Sequence, residues 1–147
     1  EGKTVSIVSP PAARPRALVT GGAATLDQMT EAGAKTHIGL PYTCRAETLP
    51  MAFDVPGFGL GRPKNINQVW LRVYRSGGVF VGPAFDMLTE AKIRTSEPYG
   101  SPPTLLTGVI DLTLENAWQD DGIVCIEQSD PLPLTLVSLS AEASIGG

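Results

Sequence analysis

The chain is poor in the residues that usually carry chemistry. Its 147 residues include one histidine, His37, so any Ser-His-Asp relay or histidine-bearing metal site has a single candidate imidazole. The two cysteines, Cys44 and Cys125, lie 81 positions apart without a CxxC motif. They fall short of a zinc set, imply no disulfide framework, and are expected to be small buried apolar groups. Aromatic residues make up only 6% of the chain, so a stacking surface has few rings to draw on. No apolar stretch approaches 18 residues, and no basic segment leads into an apolar run and a cleavage site. Neither a membrane span nor a signal peptide is expected. The first residue is Glu1 rather than Met, which points to a piece of a longer chain or a processed product.

What the chain does have is a composition suited to short strands. Apolar residues account for 42% and charged residues for 18%, while 16 glycines and 13 prolines are scattered singly or in pairs. Such punctuation divides the sequence into many short elements, as an all-β fold requires. The length fits one domain over residues 1–147, able to bury about two thirds of its unfolded surface. Charge is unevenly spread: residues 1–80 carry nine Lys/Arg against five Asp/Glu, and residues 81–147 carry two against ten. The net of −4 argues against a binder of free nucleic acid, which is expected to be basic. The asymmetry suits either opposite faces meeting in an assembly or interleaved strands of opposite sign.

Periodicity gives about nine short, mostly antiparallel strands, and hence a β-sandwich or open barrel. Residues 5–8 (VSIV) form a strand ended by Pro10-Pro11, and residues 16–20 turn through Gly21-Gly22 into residues 23–26 as a hairpin. Residues 26–32 have at most one helical turn. Residues 35–40 and 42–49 flank Pro41, the second with the period of two of a half-buried strand. The clearest strand is residues 67–75 (NQVWLRVYR), where Val69, Leu71 and Val73 alternate with Trp70, Arg72 and Tyr74. Ser76-Gly77-Gly78 predicts a second hairpin into residues 79–81, and Asp120-Asp121-Gly122 a third, joining 107–114 to 122–127. Residues 83–94 fit a helix or an edge strand equally well, and residues 132–141 read as a core strand.

Possible chemical motifs all have simpler structural explanations. Gly2-Lys3-Thr4 copies the end of a phosphate-binding loop but leads into a strand instead of a helix. Gly57, Gly59 and Gly61 resemble a dinucleotide fingerprint whose third glycine is replaced by Arg62, with no strand before or helix after. Arg62 and Lys64 beside them either bind a phosphate or a partner's carboxylates or line a solvated loop. Asp120 and Asp121, with Glu127 nearby, are the densest carboxylates, and an Asp-Asp-Gly turn already accounts for the pair. Trp70, Tyr74, Trp118 and Tyr99 are the rings from which a sugar-stacking platform would be built. No catalytic residue, metal ligand or cofactor site is assigned.

Several segments together resemble a known family. GKTVSIV (2–8), RALVTGGAATL (16–26), HIGLPYT (37–43) with ETLP (47–50), GRPKNINQVWLRVYRSGG (61–78) and DPLPLTLVSL (130–139) look like the corresponding run, in the same order, of the tail tubular protein B or nozzle (stabilisation) proteins of short-tailed bacteriophages. The most specific parts are IGLPYT (38–43), residues 61–75 and DPLPLT (130–135). The resemblance implies a β-rich module of a ring-forming, non-enzymatic virion protein, made in the host cytoplasm and placed in the tail. Its partners would be other tail, portal or adaptor proteins and, in the full-length protein, further copies of itself, with no membrane or specific nucleic acid. Leu40-Pro41-Tyr42 and residues 130–133 make physical sense as rigid bends between strands. The face with Trp70, Arg72 and Tyr74 is the first candidate interface, because these residue types dominate interface energetics; Arg62 and Lys64 are secondary candidates. A carbohydrate-binding module is the first alternative, and a small hydrolase using His37 or the Asp120, Asp121, Glu127 group is the second.

Overall fold

The computed structural model describes residues 1–9, 12–25, 35–52, 61–93, 104–115 and 117–146. Within them the protein is all-β: twelve strands, nine of them three residues or longer, form three four-stranded sheets in which every pairing is antiparallel.

The first sheet has the order β3-β2-β1-β4, made of β1 (Thr4–Ser9), β2 (Ala12–Thr20), β3 (Ala23–Ala24) and β4 (His37–Gly39). Its β2–β3 turn is the expected Gly21-Gly22 hairpin. Both glycines have positive φ, 61° and 76°, which a turn matched to strand twist demands, and the Glu1 carboxylate accepts both of their N–H groups. The apolar run VSIV places Ile7 at 0% exposure and Val5 at 7%.

The second sheet is built on β6 (Lys64–Ser76), the longest strand. One edge of β6 pairs with β12 (Leu136–Ile145); the other pairs with β9 (Leu106–Thr113) and then β10 (Trp118–Gln119). The third sheet has the order β5-β11-β7-β8, from β5 (Cys44–Glu47), β11 (Cys125–Gln128), β7 (Phe80–Gly82) and β8 (Thr89–Glu90). Together these two sheets enclose one core. Ile66, Val69, Leu71 and Val73 of β6 and Ile110 and Leu112 of β9 join Val79, Val81, Val124 and Ile126 from the opposite side. The alternation in NQVWLRVYR is therefore the amphipathic pattern it resembles, with each buried aliphatic side chain contributing about 1.5–3 kcal/mol.

Two expected hairpins are not hairpins. Ser76-Gly77-Gly78 carries the chain from β6 in the second sheet to β7 in the third, and Asp120-Asp121-Gly122 does the same from β10 to β11. Gly78 and Gly122 have φ of 64° and 59°, so the turn chemistry is present, but it turns the chain across the core rather than back along its own sheet. The crossing is held by Gln128, whose Nε2 donates to the Gly77 and Leu132 carbonyls, and by Gly77 N–H to the Pro133 carbonyl.

Three further expectations change. Residues 132–141 do not form a central strand: Pro131 and Pro133 delay the strand to Leu136, and β12 is an edge strand with only Leu139, Ala141 and Ala143 partly buried against the core. Within residues 42–49 only β5 is a strand; all four of its residues are exposed because it lies at the rim of its sheet. Residues 84–87 make a turn closed by Met87 N–H to the Ala84 carbonyl, and β8 follows as an edge strand, which settles the open choice for the described part of 83–94. At Gly82 a Cβ would overlap the Met87 carbonyl oxygen, so this hairpin needs glycine there. Residues 26–32, Gly57, Gly59 and Tyr99 lie outside the described residues.

Candidate functional site

Two surfaces stand out. The first is the outer face of the second sheet. Burial of Val69, Leu71 and Val73 turns Trp70, Arg72 and Tyr74 outward: Trp70 is half-buried, Arg72 exposed and Tyr74 54% exposed. Register sets their neighbours. Trp70 lies between Asp111 of β9 and Ser140 of β12, and Arg72 between Val109 and Ser138. Val109 is 57% exposed, so an aliphatic side chain is placed beside the Arg72 stem in open solvent. One row further on, Gln68 Nε2 donates to Asp111 Oδ1 at 2.6 Å.

Arg62 is half-buried at the entrance to β6, but Lys64 is not on the surface. It is 1% exposed, and its Nζ donates to the Arg62 carbonyl at 3.0 Å and the Asp120 carbonyl at 2.7 Å. The stem passes over Gly122, where a Cβ would come within 2.9 Å of Lys64 Cδ. A buried ammonium must be hydrogen-bonded, and this one ties the start of β6 to the 120–122 crossing. Lys64 therefore holds the fold together and leaves the group of interface candidates.

The second surface is a groove of about 350 Å³ between the first sheet and the 131–133 bend. Ser6, Val8, His37 and Ile38 form one side with Leu40 and Tyr42, and Pro131, Leu132 and Pro133 form the other. The Leu40-Pro41-Tyr42 bend produces it. The bend carries the chain from β4 in the first sheet to β5 in the third, leaving Ile38 60%, Leu40 68% and Tyr42 67% exposed. Arg16 Nη2 donates to the Ser129 carbonyl at 3.1 Å and ties β2 to the same rim. At the base, Ser6 is 5% exposed and its Oγ has no hydrogen-bond partner. Sequence reasoning picked out the segments at 38–43 and 130–135 separately; Ser6, and the meeting of the two segments, were not foreseen. An exposed apolar trio inside IGLPYT was the available signal.

The remaining candidates separate in space. His37 shares the groove with Ser6, but Ser6 Oγ donates no hydrogen bond to it, so the two are not set as base and nucleophile. Glu127 belongs to the third sheet and pairs with Arg45 at 2.7 Å, whose guanidinium lies 4.8 Å from the Phe85 ring centroid. Asp120 and Asp121 use their carbonyls to hold Lys64 and Met51, so the three carboxylates do not form one acidic centre. Among the described residues no group of three or more His, Cys, Asp or Glu could hold a metal. Gly2 and Lys3 use their backbone to pair with Val19 at the entry to β1, as strand residues rather than a phosphate cradle. Trp118 is 54% exposed at the far end of β6, with Pro63 and its own ring close about Gly146. Cys125 is buried as expected. Cys44 is exposed on the rim strand β5, contrary to expectation.

No family model matches the chain, and no curated protein matches it.

Proposed function

We propose that the protein is a structural module of a phage tail, related to the nozzle proteins, and that it works by protein–protein contact. One observation carries this reading. Two of the three segments of most specific likeness to that family, about 90 residues apart in sequence, line one groove, Ile38, Leu40 and Tyr42 from the first and Pro131 to Pro133 from the second. Exposed apolar residues on a rigid bend are what a partner's surface would cover. The outer face with Arg72 and Tyr74 offers a second contact of the kind interfaces favour.

The test is mass spectrometry of purified virions from a phage encoding the chain, together with the double variant Leu40→Asp, Tyr42→Ala. The chain is expected in intact tails, and the variant, folded by circular dichroism, is expected to be lost from them. A chain found only in infected-cell lysate, never in virions, would overturn the proposal. Exposed Tyr74 and Trp118 favour carbohydrate binding as the second reading; a glycan array with the wild type and Trp118→Ala decides it, and no binding by the wild type removes it.

A further inference from the structure

Among the described residues the longest strand with an unpaired edge is β12. Its ten residues pair with β6 on one side, and among the described residues no strand pairs with the other. An uncovered edge presents a row of backbone N–H and C=O groups to any strand that can match it, and natural edges are usually blunted by shortness, lysine, proline or covering. Among the described residues no strand covers β12, and its two ladder irregularities, of the bulge kind that also blunts edges, leave a regular run between them. The strand is long, contains neither Lys nor Pro, and carries a single charge, Glu142. The geometry points to a second copy of this chain as its partner, paired β12 to β12 in antiparallel fashion so that two β6 sheets become one.

The register follows from the bulges. Ladder irregularities fall between Leu136 and Ser138 and between Glu142 and Ala143, so the regular part of β12 is residues 138–142, centred on Ser140. Bulges bend a strand and end its pairing, so the regular segments of two copies match fully only about a twofold axis at Ser140. That register sets Ser138 against Glu142 of the second copy, Leu139 against Ala141, and Ser140 against itself. On the core-facing side each larger Leu meets a smaller Ala. On the outer face the two Glu142 carboxylates are kept apart, where another register could bring like charges together.

Charge then selects the partner. Ser138 lies beside Arg72 of β6, so Glu142 of one copy occupies the same row as Arg72 of the other, across the small Ser138. Two strand spacings, about 10 Å between backbones, suit an extended arginine and glutamate on one face. Among the described residues neither side chain has a hydrogen bond or ion pair within its own chain. The twofold supplies each with its opposite, twice. The pairing uses β12 and leaves the groove free, so it stands or falls independently of the tail assignment.

Sedimentation of the chain measures the pairing, which is expected as a concentration-dependent dimer. Ser140→Lys puts two ammonium groups at the axis and should leave a folded monomer. Glu142→Arg should raise the dissociation constant roughly tenfold, and Glu142→Arg with Arg72→Glu should restore it to within about threefold. In a Cys44→Ser background, Ser140→Cys should form a disulfide dimer under mild oxidation while Glu142→Cys should not. Strand partners at an axis fall in the Cα range a disulfide needs. A chain monomeric at every accessible concentration, or a dimer indifferent to Ser140→Lys and not cross-linked through residue 140, would overturn the inference.

Discussion

The two-sheet sandwich and the first sheet solve the same problem differently. In the sandwich, alternate residues of β6, β7, β9 and β11 converge on one apolar cluster, and the polar alternates point out. Among the described side chains of the first sheet only Val5, Ser6 and Ile7 are buried, while Leu18 and Ile38 face solvent at 57% and 60% exposure. The charges differ too. Among its described residues the first sheet and its flanks carry Lys3, Arg14, Arg16 and Lys35 against Glu1 alone, whereas Asp111, Glu115, Asp120, Asp121, Glu127, Asp130 and Glu142 belong to β9–β12 and their connections. The sandwich itself mixes the two halves: Arg45, Arg62, Lys64, Arg72 and Arg75 lie in or beside β5 and β6, Arg45 pairs with Glu127 of β11, and β6 runs between β9 and β12, so there the signs interleave across paired strands. A domain whose burial is divided this way keeps its stability in one part and leaves apolar surface available in the other.

The largest effect that could break this comparison is in the β6 core. Leu71→Ala removes a side chain at 0% exposure and is expected to cost about 4 kcal/mol in urea unfolding. The same deletion at Ile38 should cost less than about 0.5 kcal/mol. Equal losses would mean that the first sheet is as tightly packed as the sandwich. Next in size is Gly82→Ala, where the new Cβ meets the Met87 backbone; about 3 kcal/mol is expected, with faster amide exchange in β7 and β8.

Ile7→Ala sharpens the comparison further. Ile7 lies outside the sandwich cluster, so its loss, about 2 kcal/mol, should appear as faster exchange in β1 to β4 while β6 amides keep their rates. A uniform change across all three sheets would show that they open as one unit. The smallest effect contrasts the interior of the third sheet with its rim. Burial, then the charges of Glu47 and Asp86, push the Cys125 thiol above its usual value. The native state therefore holds that proton more tightly than the unfolded chain. Stability should be intact below the ordinary thiol range, about 8.5, and decline as pH rises beyond it. Cys125→Ala should flatten this alkaline slope, and in the native protein a thiol reagent should label Cys44 and spare Cys125.

Local signals were legible where local physics decides. Gly21-Gly22 needs only its own dihedrals to make a hairpin, and alternation along residues 67–75 fixes which face of β6 is inward. Pairing partners were not legible. Gly78 and Gly122 satisfy the same turn chemistry, yet the chain crosses the core there, because nothing in a turn's own residues states which sheet the next strand will join. Lys64 misled for a similar reason: beside Gly61, Arg62 and Pro63 it looked solvated, but carbonyls at Arg62 and Asp120 make a buried seat for its ammonium. The groove was half legible, since both of its walls were picked out as segments and their meeting depends on sheet placement alone.

The two crossings also constrain how the chain folds. Among the eight strands β5 to β12, only β7 and β8 are sequence neighbours that pair with each other. Nearly all of the sandwich ladder joins distant segments, a topology that folds slowly. β12, which pairs along most of β6, follows every other strand of the sandwich in chain order. On a ribosome, the sandwich must wait, with β6 open along one side, until β12 has emerged.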